Sequence, residues 1–334
     1  MQATQRKRQP FRRLCTTLAI FGVAATACCA AYAQGGYPAR PVSLVVGFAA
    51  GGSTDKLARL LAREMQDALG QQVVVENRPG AAGNIAAQYV AQAAPDGYTL
   101  FMATLSSQAI NPWIYPKLAF DPIKSFEPVA LVARYPLVVA VNPALPAQTS
   151  AELLAYMRAN PGKVFFSSAG SGSPGHLSGE LVKSMGKVDL THVAYKGGGP
   201  AMLAAMGGEV TMTIETIPAM IPHVKSGKLK GLAVTSGQRS PALPQLPTLS
   251  EAGLAGFEVT SWAGIVAPAK TSPDVLEKLQ AAVGKALAQP KLKSAMEADG
   301  ALPSYMPGKQ FQDFTAAELK RWGEVVRSAN VKAE

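Results

Sequence analysis

The chain has 334 residues, 48% of them hydrophobic, and a formal net charge of +10. A chain of this length can bury one large hydrophobic core or two moderate ones, and we expect two lobes. Five basic residues without an acidic counterpart in residues 1–33 account for half of the net charge, and the other basic residues are scattered. The lack of a clustered Lys/Arg stripe with interleaved aromatic residues argues against nucleic-acid binding.

Residues 1–33 have the pattern of a secretory signal peptide. Basic residues at 6–13 precede an apolar run at 14–30, and Ala31-Tyr32-Ala33 fits a cleavage site before Gln34. Two alternatives are a membrane anchor, for which the run is short, and a lipoprotein cleaved before Cys28. All three cysteines lie in this segment, so the exported chain has no thiol nucleophile, disulfide or thiolate metal site.

After the leader, short runs rich in β-branched residues alternate with amphipathic helical patterns. Strands are predicted at 42–47, 73–75, 98–103, 137–141, 164–168, 190–195, 210–214 and 231–235, and helices at 55–69, 84–91, 151–160, 176–185 and 200–206. This alternation predicts a parallel sheet covered by helices. Two longer extended runs, 130–141 and 257–267, are predicted to cross between the lobes, with C-terminal helices at 274–289 and 311–327 returning to the first lobe.

The first candidate site is the glycine-rich turn at residues 47–54. Its backbone amides and the following helix N-terminus favour an anion. An alternative is that Ser53 or Thr54 only caps the helix. The spacing resembles a phosphate-binding loop, but Ser53 stands where that loop needs a lysine, which argues against nucleotide binding.

A second glycine-rich turn, residues 169–175, follows the strand at 164–168. Its glycines fit a dinucleotide-binding spacing, but the next strand ends in Tyr195-Lys196 instead of an acid, which argues against a dehydrogenase. None of its serines has the G-x-S-x-G spacing of a serine hydrolase, and the three histidines are not at metal-ligand spacing. We therefore predict no catalytic residue, no metal site and no cofactor.

Two charged residues and two tryptophans complete the candidates. Lys196 would pair with a bound carboxylate, although a solvent-exposed lysine fits equally well. Glu215 would line the cleft and accept a ligand amine or hydroxyl, with an ordinary exposed carboxylate as the alternative. Trp113 and Trp262 would floor a pocket for a planar ligand, or pack in the core.

A series of motifs runs through the whole chain after the leader. They are Tyr37-Pro38-Ala39-Arg40-Pro41, the loop at 48–55, Val75-Glu76-Asn77-Arg78-Pro79-Gly80-Ala81-Ala82-Gly83, Pro95-Asp96-Gly97-Tyr98-Thr99-Leu100, Ile110-Asn111-Pro112, Pro161-Gly162-Lys163, Tyr195-Lys196-Gly197, Gly227-Lys228-Leu229, Leu232-Ala233-Val234-Thr235, the run from Leu246 to Gly253, and Trp262 with Gly264. In this order and spacing they resemble the Bug-type substrate-binding proteins of tripartite tricarboxylate transporters.

The resemblance implies an α/β, two-lobed periplasmic binding protein fold, type II-like, with two crossover strands and a ligand cleft between the lobes. Lobe 1 would comprise residues 37–134 and 262–334, and lobe 2 residues 135–261. It also implies a monomer in the periplasm of a Gram-negative bacterium that captures a di- or tricarboxylate, an aromatic carboxylate or an acidic amino acid by hinge closure. The expected partners are the integral membrane subunits of a secondary transporter.

The resemblance further implies that backbone amides, hydroxyls and ordered waters of the first and fourth strand-to-helix loops hold the ligand carboxylate. With the two charged candidates and neighbouring residues, the expected ligand-binding residues are Phe48, Ala49, Gly51, Gly52, Ser53, Thr54, Asp55, Ser106, Ser168, Ala169, Gly170, Ser171, Gly172, Ser173, His176, Tyr195, Lys196 and Glu215. Gln108 stands where many relatives carry histidine. The alternative functions are a periplasmic ligand sensor accessory, which shares the fold, and a carboxylate-processing enzyme, for which no catalytic pair is evident.

Overall fold

The computed structural model describes residues 36–328 and residue 331. The predicted signal peptide, residues 1–33, lies outside this part of the chain. Of the described residues, those from 40 onwards belong to one structural unit. Within the described residues, none of the helices combines the length and the apolar character that a membrane span requires.

Ten strands and ten α-helices alternate along the described residues. The strands are β1 Val42–Val46, β2 Val73–Asn77, β3 Thr99–Thr104, β4 Phe126–Val141, β5 Phe165–Ser168, β6 Thr191–Ala194, β7 Met212–Thr216, β8 Lys230–Val234, β9 Thr260–Pro268 and β10 Leu302–Pro307. The helices are α1 Ser53–Leu69, α2 Asn84–Ala91, α3 Asn111–Ile114, α4 Ser150–Ala159, α5 Pro174–Gly186, α6 Gly198–Gly207, α7 Ile217–Lys225, α8 Pro273–Leu287, α9 Pro290–Ala298 and α10 Gly308–Ser328. A 3₁₀ turn at Ala81–Gly83 and a π-helical turn at Ser106–Ile110 complete the elements.

Helix α1 shows how the sequence pattern becomes packing. Leu57, Leu61 and Met65 recur at helical spacing and are buried, as predicted. The helix ends at Gly70, whose φ of 68° is a left-handed conformation that glycine adopts without steric cost. The apolar face of α1 therefore fixes where its N-terminus, and the glycine-rich turn before it, must lie.

The strands form two groups that share β4. The first strand group is ordered β2, β1, β3, β9 and the Phe126–Pro136 part of β4, with β10 on the other side of β4. The second strand group contains the Leu137–Val141 part of β4 with β7 and β8, followed by β5 and β6. Helices α8 and α10 contact α1 and the π-helical turn, so the C-terminal helices return to the N-terminal elements, as predicted.

The expectation of a parallel sheet holds for part of each strand group and is wrong for β4, β8, β9 and β10. β1, β2 and β3 are mutually parallel, as are β5, β6 and β7, but β4, β9 and β10 pair antiparallel to their neighbours. Alternating strand and helix patterns indicate parallel units, whereas β4 and β9 enter from long loops and are not constrained by a preceding helix. The same two runs were predicted as crossover strands, and both form strands.

The two tryptophans that were candidates for a pocket floor pack elsewhere. Trp262 is buried edge-on against Phe311, and its indole N–H donates to Glu318. Trp113 donates to the carbonyl of Leu319 and is partly exposed. Both side chains therefore serve the packing of α10.

Thr235 hydrogen-bonds to both chain connections between the strand groups, at the point where β4 changes partners. Its Oγ1 accepts from the Leu137 N–H at 2.9 Å and donates to the Val259 carbonyl at 2.7 Å, and the residue is fully buried. Both chain connections between the strand groups pass this side chain, because Leu137 lies in β4 and Val259 precedes β9.

Replacing Thr235 by valine keeps the shape but removes both hydrogen bonds. We expect a loss of about 2 kcal/mol of unfolding free energy, because the Leu137 N–H is left buried without an acceptor. Urea unfolding would show this as a lower midpoint with an unchanged slope. Thr191→Val, at the exposed start of β6, is the control. Equal midpoints for the two variants would contradict the role of Thr235.

Candidate ligand-binding site

The β1–α1 loop, residues 47–52, is held by the carboxylate of Asp55. This carboxylate accepts from the Gly51 N–H at 2.8 Å, the Arg59 guanidinium at 3.0 Å and the Asn77 side-chain amide at 2.9 Å. Burial would raise the pKa of Asp55, but these hydrogen bonds outweigh it and the pKa lies below its ordinary value. Asp55 is therefore ionised and shapes the loop, and protein groups already share its oxygens.

Ser53 and Thr54 begin α1, and each contacts a different strand. Ser53 Oγ lies 2.6 Å from Thr216 Oγ1 at the end of β7, and Thr54 hydrogen-bonds Tyr135 of β4. Burial raises the pKa of Tyr135, so its phenol is neutral. The N-cap of α1 is Gly52, and no side chain bonds to the cap. The alternative that Ser53 or Thr54 only caps the helix is therefore wrong.

The segment after β3 adds a second polar surface beside this loop. The Asn111 N–H bonds to the Ser106 carbonyl across the π-helical turn, which places the two residues one turn apart on the same face. The Asn111 amide donates both hydrogens, to Asn84 Oδ1 at 2.7 Å and to the Ala82 carbonyl at 3.1 Å. Both Asn111 and Ser106 are buried, yet Asn111 Oδ1 and Ser106 Oγ have no hydrogen-bond partner in the described part of the chain.

The β5–α5 loop, residues 169–173, is fixed mainly by hydrogen bonds to side chains at its two ends. Ser168 Oγ accepts from the Gly170 N–H at 3.2 Å, and Ser173 Oγ accepts from the His176 N–H at 3.2 Å as the N-cap of α5. The Gly172 N–H donates to His176 Nδ1 at 3.2 Å. His176 therefore holds the loop through its side chain. Because Nδ1 accepts this hydrogen bond, it carries no proton.

His176 stacks on His192 of β6, with ring centroids 3.9 Å apart and planes 11° from parallel. His192 Nε2 lies 2.7 Å from Ser168 Oγ. Burial lowers the pKa of His176 to about 4, and burial together with the neighbouring His176 lowers the pKa of His192 to about 3. Both histidines are therefore neutral at neutral pH, and they support the β5–α5 loop without adding a charge next to it.

Glu215, at the end of β7, brings a carboxylate to the same loop. It accepts from the Ala169 N–H at 3.1 Å and the Thr216 N–H at 3.3 Å, and only 7% of its surface is exposed. Burial raises its pKa to about 7, against the smaller opposing effect of these two hydrogen bonds. Among the described residues it has no ion-pair partner. The alternative of an ordinary exposed strand-end carboxylate is therefore wrong.

The two strand groups touch where these loops meet. A Cβ atom at Gly172 would lie 2.5 Å from Ile114 Cδ1 and 2.6 Å from Asn111 Oδ1. The Ser53–Thr216 hydrogen bond adds a contact between the first residue of α1, directly after the β1–α1 loop, and the end of β7. The structure therefore describes the two strand groups in contact beside these loops.

Polar atoms without partners concentrate at this junction. Five buried side-chain polar atoms in the described residues lack a hydrogen-bond partner, and three of them are Ser106 Oγ, Asn111 Oδ1 and Ser171 Oγ. Native proteins rarely leave such groups unpaired, except where a water or ligand satisfies them. Two hydroxyls that can donate and one amide oxygen that can only accept are suited to a small polar molecule.

Two predicted residues, Tyr195 and Lys196, and Gln108, whose role was left open, lie differently from the rest. The Tyr195 hydroxyl points towards Glu209, at 3.5 Å, and Lys196 is exposed. Gln108 donates to Ser107 Oγ and lines a small hollow with Phe126 and Phe311 instead of facing Gly172. The other predicted residues lie in the β1–α1 loop and the first turn of α1, in the π-helical turn, from the end of β5 to the first turn of α5, or at Glu215 beside that loop.

Sequence reasoning missed Asn111, Thr216 and His192 as parts of the site. Asn111 had a weak signal, since it belongs to the Ile110-Asn111-Pro112 motif, five residues after Ser106. Thr216 follows Glu215 at the carboxyl end of a strand, where ligand-contacting residues are common. Nothing in the sequence indicated that His192 would stack on His176. The described residues contain no group of three or more His, Cys, Asp or Glu that could hold a metal ion.

Two α/β strand groups joined by two long strands, with polar loops meeting between them, define a two-lobed periplasmic binding protein. Comparison with known proteins agrees with this class. Residues 57–331 match the family described as the tripartite tricarboxylate transporter family receptor. The chain belongs to this family of periplasmic solute-binding proteins, which are not enzymes, and the predicted fold class is confirmed.

Relatives match over most of their length. The chain is 37% identical to protein BugT of Bordetella pertussis over 321 residues, which cover 96% of this chain and 98% of that protein. A structure of an R. palustris protein with adipate has a TM-score of 0.87 and 38% identity, covering 90% of this chain and all of that one. The structure of MatC from Rhodopseudomonas palustris with bound malate has a TM-score of 0.81 and 37% identity, covering 87% of this chain and all of that one.

Proposed function

We propose that this protein captures a small carboxylate between its two lobes after export to the periplasm and delivers it to the membrane subunits of a secondary transporter. The observation that carries the proposal is the cluster of partnerless buried polar atoms, Ser106 Oγ, Asn111 Oδ1 and Ser171 Oγ, at the junction of the two strand groups. Two hydroxyl donors and the N-terminus of α1 are suited to a carboxylate, and the similar structures contain adipate and malate.

The proposal includes closure by a hinge. Support comes from β4, whose partners change between Pro136 and Leu137, and from β9, which begins at Thr260. These points lie within two residues of the predicted lobe boundaries, at 134/135 and 261/262. Rotation about the two strands would separate Ser53 from Thr216 and Gly172 from Asn111, which opens the junction to a ligand. The ligand must stabilise the closed state through contacts that the open state lacks.

A thermal-shift screen of residues 34–334, refolded from denaturant to remove bound ligand, tests the proposal. The panel comprises mono-, di-, tri- and aromatic carboxylates and acidic amino acids, with nucleotides as controls. A ligand at a hundredfold its dissociation constant should stabilise the protein by about 2.7 kcal/mol, a rise in melting temperature of about 5 °C. A shift confined to carboxylates supports the proposal. A shift with nucleotides alone, or none with any carboxylate by a protein that is shown to be folded, would overturn it.

A further inference from the structure

The orientation of the Asn111 side chain is fixed by its hydrogen bonds. Both amide hydrogens are used, one by Asn84 Oδ1 and one by the Ala82 carbonyl. Flipping the amide would point its oxygen at these two acceptors, so the nitrogen must face them. Oδ1 therefore faces the other way, where it meets Gly172 of the opposite strand group.

The surroundings of Asn111 Oδ1 place it in the ligand-binding junction. Gly83, between its two hydrogen-bond partners, lies against the ring of Phe48 and the side chain of Ser107. The Asn111 amide therefore follows a segment that contacts the β1–α1 loop, and its oxygen faces the β5–α5 loop at Gly172. It is buried, and no donor of the described residues reaches it.

An amide oxygen accepts hydrogen bonds and cannot donate them. A carboxylate of a ligand also only accepts, so it cannot satisfy Asn111 Oδ1 and would meet it as one acceptor facing another. Glu215, whose carboxylate binds the Ala169 N–H at the start of the same loop, adds a second acceptor to this side of the site. The junction therefore offers hydroxyl donors for a carboxylate and an acceptor for a different group.

We infer that Asn111 is a specificity-determining residue that selects ligands with a hydroxyl or ammonium donor in addition to the carboxylate. The inference rests on the proposed function, since it concerns a second group of the same ligand. It narrows the ligand class to hydroxy- and aminocarboxylates, and it assigns the donor contact to one atom, Asn111 Oδ1.

Isothermal titration of ligand-free protein with matched ligands tests this inference. Each set shares one carbon skeleton and differs in one substituent: succinate, malate and aspartate; glutarate, 2-hydroxyglutarate and glutamate; propionate, lactate and alanine. In the set that binds, we expect the hydroxy or amino member to bind at least about tenfold more tightly than the unsubstituted acid, because the latter leaves a buried acceptor unpaired. The hydroxy and amino members then distinguish a hydroxyl donor from an ammonium donor.

Two variants separate recognition from structure. Asn111→Leu removes Oδ1, and we expect it to bring the affinity ratio within a set close to one. Asn84→Leu removes one partner of the Asn111 amide but leaves Oδ1, and we expect it to preserve most of the ratio. If Asn111→Leu does not fold, Asn111→Ala, which also removes Oδ1, takes its place with the same expected result, and a ratio of one or less for the unmodified protein overturns the inference without any variant.

The outcomes distinguish this inference from the function on which it rests. Equal or tighter binding of the unsubstituted acids would overturn the role of Asn111 and would leave carboxylate capture intact. This result is expected if a water molecule satisfies Oδ1. Failure of every carboxylate to bind would overturn both. An affinity ratio that is unchanged in Asn111→Leu would show that another group accepts the hydrogen bond from the ligand's donor, and this would also contradict the inference.

Discussion

Gly172→Ala is expected to weaken ligand binding at least about tenfold, because a methyl group at this position obstructs the closed state. The new Cβ would lie 2.5 Å from Ile114 Cδ1 and 2.6 Å from Asn111 Oδ1, both in the other strand group. These contacts exist only when the groups meet, so the steric cost falls on closure. Titration calorimetry with a ligand found in the carboxylate screen measures the effect.

The backbone conformation of Gly172 requires its own control. Its φ of +81° is strained for alanine in both open and closed states, which lowers stability without changing closure. Gly256 has a φ of +79° and no atom within 4 Å of an added Cβ, so Gly256→Ala isolates that strain. We expect similar small losses of melting temperature in both ligand-free variants and a loss of affinity in Gly172→Ala alone. Unchanged affinity in Gly172→Ala would mean that this contact is not part of the bound state.

Glu215→Gln is expected to change how stability depends on pH. Burial raises the folded-state pKa of Glu215 to about 7 from its ordinary value of 4.5, so the folded protein binds more protons than the unfolded chain between these pH values. Stability from this group is present below pH 4.5 and is lost as pH rises through 7, a loss of about 3 kcal/mol. Glutamine does not ionise. The melting temperature of Glu215→Gln minus that of the unmodified protein should therefore increase by about 5 °C between pH 5 and pH 8.5.

The buried histidine pair acts in the opposite direction. The pKa values of His176 and His192 are lowered by burial to about 4 and about 3, so their contribution to stability is lost as pH falls below their ordinary pKa. Both proteins contain this pair, and its effect cancels in the difference between them. Glu324→Gln, which makes the same substitution on the exposed face of α10, is the control. Parallel profiles for Glu215→Gln and the unmodified protein would contradict a buried, unpaired carboxylate.

The sequence predicted the elements whose pattern is local. Helical spacing and the placement of glycines predict the apolar face of α1, its end at Gly70 and the bounds of α2. The antiparallel pairing of β4 and β9 did not follow, because a buried strand has the same composition in either direction. The π-helical turn was missed as well, since its sequence, Ser-Ser-Gln-Ala-Ile, has no periodic pattern.

The loops of the candidate site could be predicted from the sequence, but its individual polar contacts could not. Glycine-rich turns at strand ends identified the β1–α1 and β5–α5 loops, because backbone amides are exposed there in any such fold. Which atoms lack partners depends on contacts between distant segments. Asn111 acquires its orientation from Asn84, and the His176–His192 stack joins a helix to an edge strand. No spacing along the chain encodes either contact.

Binding of a carboxylate in preference to its uncharged isostere tests the central claim most directly. Ligand-free protein, residues 34–334, would be titrated calorimetrically with the tightest-binding carboxylate of the screen and with the carboxamide of the same skeleton. We predict saturable binding of one carboxylate per protein molecule and at least about hundredfold weaker binding of the amide, because the hydroxyls and helix N-terminus favour an anion. Equal affinity for acid and amide, or binding of neither by folded protein, would contradict capture of a carboxylate at this site.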